Sequence, residues 1–283
     1  MSVTAVILAA AVVGIIGIVI GIVLGIAGEK FKVEVDPKEE AVLGVLPGNN
    51  CGGCGFPGCS GLAAAIAKGE APVNGCPVGG APVAEKVSAI MGTDAGDSKR
   101  MTAYVKCAGN CENAAKNYEY YGVKDCTMMA FMSGGGPKAC KYGCLGYGEC
   151  VKACGFDAIH IVDGIAVVDK DSCKACGKCV KACPRNLIEL IPYESQYAVQ
   201  CNSKDMGRVV MQACKVGCIG CRMCTKVCEA GAITVTDNLA HIDQDKCTGC
   251  GSCAAKCPKK IIKQEYIPQE VPQQEQPAQG AEA

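Results

Sequence analysis

Cys173-Lys-Ala-Cys176-Gly-Lys-Cys179-Val-Lys-Ala-Cys183-Pro184 decides the reading of this chain. Its spacing, C-x2-C-x2-C-x3-C-P, is the bacterial [4Fe–4S] signature. Three thiolates on one tight loop cap three irons of a cubane, and the fourth cysteine reaches across to a neighbouring cluster. The run recurs at Cys247, Cys250, Cys253, Cys257 and Pro258. A C-x2-C pair alone also builds zinc ribbons. Zinc needs neither the third cysteine two residues on nor the x3-Cys-Pro ending, so the spacing favours iron–sulfur clusters and electron transfer.

Outward from these motifs the chain repeats itself. Cys140-Lys-Tyr-Gly-Cys144-Leu-Gly-Tyr147-Gly-Glu-Cys150-Val-Lys-Ala-Cys154 parallels Cys214-Lys-Val-Gly-Cys218-Ile-Gly-Cys221-Arg-Met-Cys224-Thr-Lys-Val-Cys228. Cys154 to Cys173 and Cys228 to Cys247 are equally far apart. Between them, Ala158–Val162 and Ile165–Val168 flank Asp163-Gly164, a hairpin signal. In the second copy Ala232–Thr236 and Ala240–Ile242 flank Asp237-Asn238. Each copy reads as a ferredoxin-like unit built for two cubanes.

The pairing of motifs yields Cys154, Cys173, Cys176 and Cys179 for one cluster, and Cys228, Cys247, Cys250 and Cys253 for its counterpart. Cys218, Cys221, Cys224 and Cys257 form a third set. The equivalent set in the first copy has Tyr147 where the second has Cys221. Cys140 is the natural substitute, giving Cys140, Cys144, Cys150 and Cys183 and leaving Cys214 spare. The alternative is a three-iron or water-ligated cluster on Cys144, Cys150 and Cys183 alone.

A fifth set lies nearer the N-terminus, where Cys51, Cys54, Cys59 and Cys76 follow C-x2-C-x4-C-x16-C. A short helix over Leu62–Lys68 would return the chain so that Cys76 closes the site, and a second helix is expected over Pro82–Met91. Gly52, Gly53, Gly55 and Gly58 let the backbone wrap close to a cluster. Five cysteines remain: Cys107, Cys111, Cys126, Cys201 and Cys214. Buried free thiols are their default reading. Val105-Lys-Cys107 resembles Val199-Gln-Cys201 ahead of each repeat, and a site from Cys107, Cys111 and Cys126 lacks an obvious fourth ligand. His160 and His241 fall in the hairpins, where the thiolates already suffice as ligands.

Val3 to Ala27 carries no charge over 25 residues, enough to span a bilayer core of about 30 Å. A cleaved signal peptide would have a basic leader and a shorter apolar run. Lys30 and Lys32 follow the span and no Lys or Arg precedes it, which places the body in the cytoplasm and the protein in the cytoplasmic membrane. Gly17, Gly21 and Gly25 make a repeated GxxxG face suited to packing against a partner helix.

Composition agrees. Twenty of the 25 cysteines sit at metal-ligand spacings rather than as a disulfide framework. Trp is absent and there are only four Phe, as suits small domains whose folding is coupled to metal binding. The formal charge is zero, and five cubanes with their thiolates would add about −10. No basic stripe marks a nucleic-acid site. From Cys140 to Tyr266 there are 17 Lys and Arg against 13 Asp and Glu, with Lys170, Lys174, Lys178 and Lys181 around one motif, a surface suited to an acidic electron carrier.

The expected architecture is α+β. It comprises a single transmembrane helix (1–28), a small helical [4Fe–4S] domain (29–95) and a Cys-containing linker region (96–139). Two tandem bacterial ferredoxin-like units (140–193 and 194–266) follow, then a disordered tail (267–283) rich in Pro, Gln, Glu and Ala.

The apolar anchor, the C-x2-C-x4-C-x16-C-P motif and the ferredoxin repeats together resemble the B subunit of the Rnf ion-translocating ferredoxin:NAD oxidoreductase complex. The Cys51-Gly-Gly-Cys54-Gly-Phe-Pro-Gly-Cys59 stretch, joined to the anchor, is the most specific part. Two ferredoxin units instead of one look like the longer, anaerobe-type variant. The resemblance implies an electron-transfer subunit that accepts electrons from reduced soluble ferredoxin on the cytoplasmic side. It would relay them through five [4Fe–4S] clusters to other membrane and peripheral subunits, which carry the NAD and flavin chemistry and move Na+ or H+. An iron–sulfur subunit of a hydrogenase or formate dehydrogenase shares the repeats but not the first cysteine motif. A membrane-tethered zinc protein is the reading from a different class.

Overall fold

The structure, a computed structural model, describes residues 3–30, 36–96 and 99–264. The tail expected from residue 267 lies outside the described residues. Helix α1 (Val3–Lys30) has 28 residues, about 42 Å at ~1.5 Å per residue. Among the described residues, nothing beyond the helix's own backbone lies within 4 Å of a Cβ placed on Gly14, Gly17, Gly21 or Gly25, so the glycine face meets none of them. Among the residues whose side chains are described, no segment is long and apolar enough to cross a membrane. Their unbroken stretch in α1 is only Gly14–Ala27.

A three-helix domain follows. Helix α2 (Pro37–Val45) starts where the Asp36 carboxylate accepts the Lys38 N–H at 2.9 Å and Pro37 fixes the first turn. Helices α3 (Gly58–Ala67) and α4 (Gly80–Met91) begin a few residues earlier than their apolar runs suggest. Val42, Leu62, Ile66 and Val87 form the sealed centre of this domain.

The two ferredoxin-like units share one topology. In the first, β1 (Met101–Val105) pairs antiparallel with β4 (Ile188–Pro192), and β2 (Ile159–Val162) with β3 (Ile165–Val168). In the second, β5 (Tyr197–Val199) pairs with β8 (Ile262–Gln264), and β6 (Ile233–Thr236) with β7 (Leu239–Ile242). Both hairpin turns have positive φ at their two central residues: 48° and 76° at Asp163-Gly164, 48° and 61° at Asp237-Asn238. That is the signature of a type I′ turn, whose twist matches the flanking strands.

One boundary moves. Because β1 pairs with β4, the first unit starts at Met101 and not at Cys140. The expected linker region supplies the unit's outer strand and then an insertion, with short 3-10 turns at Met128–Phe131 and Ser133–Gly135. Short helices α5 (Glu149–Lys152), α6 (Lys178–Ala182), α8 (Met223–Lys226) and α9 (Ser252–Lys256) carry cysteines, while α7 (Gly207–Ala213) leads into the second unit's first motif. The cysteines are themselves core residues. Cys144, Cys150, Cys173 and Cys179 pack with Ala158, Ile159, Leu187 and Ile188, and Cys218, Cys224 and Cys253 with Ile233, Ile242, Ile261 and Ile262.

Candidate iron–sulfur centres

In the small domain Cys51, Cys54, Cys59 and Cys76 come from the loop before α3, its first turn and the loop before α4. Asn50 Oδ1 accepts the Cys59 N–H at 2.8 Å and fixes that loop. The Gly79 N–H donates to Cys76 Sγ at 3.3 Å. Burial pushes the Cys76 thiol up, with Cys59 and Cys51 close enough to add to the shift.

Cys154, Cys173, Cys176 and Cys179 line one hollow with Phe156, Ala158 and Ile159. Cys173 Sγ accepts N–H groups from Ala103 on β1 and from Ala175, both at 3.4 Å. Burial, then the nearby Cys173, Cys176 and Cys154, push Cys179 up to about 11. In the second unit Cys218, Cys221, Cys224 and Cys257 share a hollow with Val235, Ala240 and Ile262. Cys253 faces Cys247 and Cys250, and Cys228 packs on the same core. Cys250 is exposed, and hydrogen bonds from Ser252 pull its thiol down.

The fourth sequence-derived set is divided between two hollows. Cys144, Cys150 and Cys183 do line one hollow, but the fourth cysteine there is Cys126, not Cys140. Burial, followed by Cys144, Cys183 and Cys126, pushes Cys150 up to about 12. Burial pushes the Cys126 thiol up, and the nearby backbone of Glu149 and Tyr147 offsets part of that push. Tyr147, which stands where the second copy has Cys221, lines this same hollow beside Cys126. Nothing in the spacing marked Cys126, because it sits in an insertion that the second copy lacks and reaches the site only through packing.

Cys140 lies instead in a hollow with Cys107, Cys201 and Cys214. The sequence signs of this grouping are the two repeat correspondences, Cys107 with Cys201 and Cys140 with Cys214. Cys111 is exposed and belongs to none of the groups.

Among the described residues no three His, Cys, Asp or Glu converge closely enough to hold one metal ion. A zinc site with Zn–S near 2.3 Å would bring its thiolates within about 4 Å of one another. A cubane gives each thiolate its own iron, so its ligands stand further apart. Hollows ringed by four thiols, with N–H groups aimed at the sulfurs, fit that polynuclear group.

The sites adjoin one another. A Cβ on Gly53 would stand 2.7 Å from the Cys176 carbonyl oxygen, so the small domain's cysteine loop rests on the first unit's. The second unit's counterpart of Cys176 is the exposed Cys250. Arg185 donates to the carbonyls of Cys140, Gly143 and Gly135, placing a half-buried guanidinium between the Cys126 and Cys140 hollows.

Comparison with known proteins decides what this assembly of thiols belongs to. Residues 46–78 match a family described as a putative Fe-S cluster, 166–189 a 4Fe-4S binding domain, and 217–261 a 4Fe-4S dicluster domain. The chain is 45% identical over 248 residues to the B subunit of the ion-translocating oxidoreductase complex of Methanosarcina acetivorans, covering 87% of this chain and 94% of that one. The chain belongs to the family of Rnf B subunits. The B subunit of the Na(+)-translocating ferredoxin:NAD(+) oxidoreductase complex of Acetobacterium woodii is 46% identical, over 89% of this chain and 75% of its own. The proton-translocating counterpart from Clostridium ljungdahlii is 45% identical, over 88% and 89%. As a member of the family, the chain is an iron–sulfur electron-transfer subunit of an ion-translocating oxidoreductase complex.

Proposed function

We propose that the chain takes electrons from a reduced soluble ferredoxin at its second ferredoxin-like unit. It passes them through the first unit to the Cys51 site beside the membrane. From there they go to partner subunits that reduce NAD and move Na+ or H+. When bound, each cubane supplies reversible one-electron chemistry. The protein's part is to hold each one with four thiolates, to direct N–H groups at the sulfurs and to keep successive sites in contact. The ligand sets are Cys51, Cys54, Cys59 and Cys76; Cys154, Cys173, Cys176 and Cys179; Cys126, Cys144, Cys150 and Cys183; Cys218, Cys221, Cys224 and Cys257; and Cys228, Cys247, Cys250 and Cys253.

The observation that carries this reading is the contact of Gly53 with Cys176 at one end and the exposure of Cys250 at the other. The first unit's end loop is covered by the small domain. The equivalent loop of the second unit is open, with Arg222, Lys226, Lys256 and Lys260 exposed around that unit's cysteine loops. Opposite charge there would speed the approach of an acidic carrier.

The uncharged run Val3–Ala27 is read as a single membrane span, with the body on the cytoplasmic side. Support comes from its length, the lysines that follow it and a glycine face left open by the other described residues. The decisive experiment mixes the full-length, anaerobically purified chain with reduced ferredoxin and follows the visible iron–sulfur absorbance. Rapid bleaching is expected. A chain that is left oxidised by reduced ferredoxin, yet is reduced by dithionite, would overturn ferredoxin as the donor.

A further inference from the structure

We propose that Cys107, Cys140, Cys201 and Cys214 hold a sixth [4Fe–4S] cluster at the junction of the two ferredoxin-like units. The inference rests on reading the other thiol sets as cubane sites. It assigns a role to four of the cysteines left over or misplaced by the sequence pattern.

The four thiols surround one hollow, closed by Gly109, Lys138, Gly143 and Val210. A Cβ added to Gly109 would lie 3.4 Å from Cys214 Sγ and 3.6 Å from Cys107 Sγ, so both sulfurs point into the same space. A Cβ on Gly143 would lie 3.5 Å from Cys140 Sγ. Glycine at both places keeps the wall thin where a cofactor has to approach the backbone.

The arrangement is pseudo-symmetric, two thiols from each unit. Cys107 follows β1 and Cys201 follows β5 by the same two residues. Cys140 and Cys214 each stand four residues before a cluster motif. Cys107 Sγ accepts the Cys144 N–H, and Cys201 Sγ accepts the Cys218 N–H, both at 3.3 Å. N–H groups aimed at sulfur also mark Cys76, Cys144 and Cys173 in the other sites. The units meet here through backbone bonds, Ala108 N–H to Gln200 O at 3.0 Å and Lys215 N–H to Asn113 O at 2.8 Å.

A cation stands in the wall. Lys138 is 6% exposed, and its ammonium donates to the carbonyls of Gly109 at 2.8 Å and Gly164 at 3.0 Å. Among the described residues it has no carboxylate partner. A buried charge so placed calls for a nearby anion, and a cubane with four thiolates carries about −2.

The position suits a bridge. Cys144 and Cys218 give their N–H groups to this hollow and their thiols to the neighbouring ones. One peptide unit therefore separates the junction from a cluster site in each ferredoxin-like unit. Each transfer along this path moves one electron, oxidising the donor cluster and reducing the acceptor, with no atom or proton exchanged.

Native mass spectrometry of the full-length anaerobic chain, with iron and acid-labile sulfide analysis, tests the proposal. Six clusters and about 24 irons are expected. The C107S/C214S double variant should lose one cluster, about four irons, while Cys111→Ser loses none. Gly109→Val, which fills the hollow but keeps every thiol, should also lose one, so the test survives if the double variant fails to fold. Five clusters in the wild type, disulfides among the four thiols, or six clusters retained in the double variant would overturn the junction site while leaving the relay intact. Bound zinc without labile sulfide would instead bring down the iron–sulfur reading as a whole.

Discussion

Gly53 rests on Cys176: a side chain at Gly53 would begin 2.7 Å from the Cys176 carbonyl oxygen. The contact joins a loop of the helical domain to the loop that carries three thiols of the first ferredoxin-like unit. Gly53→Val would overpack it, at a cost of about 1–3 kcal/mol, and push the two loops apart. Iron content should stay at the wild-type value. Reduction of the Cys51 site by ferredoxin, resolved by freeze-quench electron paramagnetic resonance, should slow severalfold or more. An unchanged rate would route electrons to the small domain by another path.

Cys126→Ser should lower iron by about four atoms per chain, because Cys126 lines one hollow with Cys144, Cys150 and Cys183 and is the fourth ligand proposed there. The repeat supplies a rescue. Tyr147→Cys in the Cys126→Ser background restores the arrangement of the second copy and should recover the lost iron. Recovery by the tyrosine replacement would separate loss of a ligand from loss of the fold. Failure of both changes to move the iron content would return the fourth ligand to Cys140 or to water.

Gly220 has φ 64°, and a Cβ there would lie 2.9 Å from Asn238 O in the opposing hairpin turn. Gly220→Ala should therefore destabilise the second unit by about 1–3 kcal/mol through backbone strain. Thermal loss of the visible absorbance reads this out as a lower midpoint with the starting cluster count unchanged. A midpoint equal to that of the wild type would mean that the turn relaxes freely.

Gly21→Leu should weaken co-purification with membrane partner subunits, since a large side chain blocks close helix approach. The cluster spectrum should be unaltered. An intact complex with full ion transport would show that this face of α1 looks into lipid.

Reversing charge at Lys256 and Lys260 should slow reduction by ferredoxin at low salt and flatten its dependence on ionic strength. Reversal at Lys174 and Lys178, in the loop that Gly53 meets, should do less. Stopped-flow traces across a salt series compare the two pairs. The opposite ranking would put the docking face on the first unit.

Local spacing made most of the centres readable. Cys173, Cys176 and Cys179 lie on one loop, as do Cys247, Cys250 and Cys253, so their convergence is fixed within a few residues of chain. Asp163-Gly164 likewise announced its hairpin, because few other residues accept two successive positive φ values. What escaped depends on distance along the chain. Nothing within Met101–Val105 points to a partner beginning at Ile188, and Cys126 reaches Cys144 only through the packing of an insertion. The correspondence of Cys107 with Cys201, and of Cys140 with Cys214, was visible as repetition. That they face one another follows from docking of the units, which no single repeat encodes.

The pairing of β1 with β4, and of β5 with β8, also sets an order of events. In both units every cysteine lies between the two outer strands, and the closing strand starts five residues after the last one, at Ile188 after Cys183 and at Ile262 after Cys257. The outer ladder is thus a clasp that the ribosome completes last. Iron and sulfide can be delivered to an open loop while the thiols are still reachable. Once the final strand zips up, the cargo is locked in behind backbone hydrogen bonds and cannot leave without undoing them.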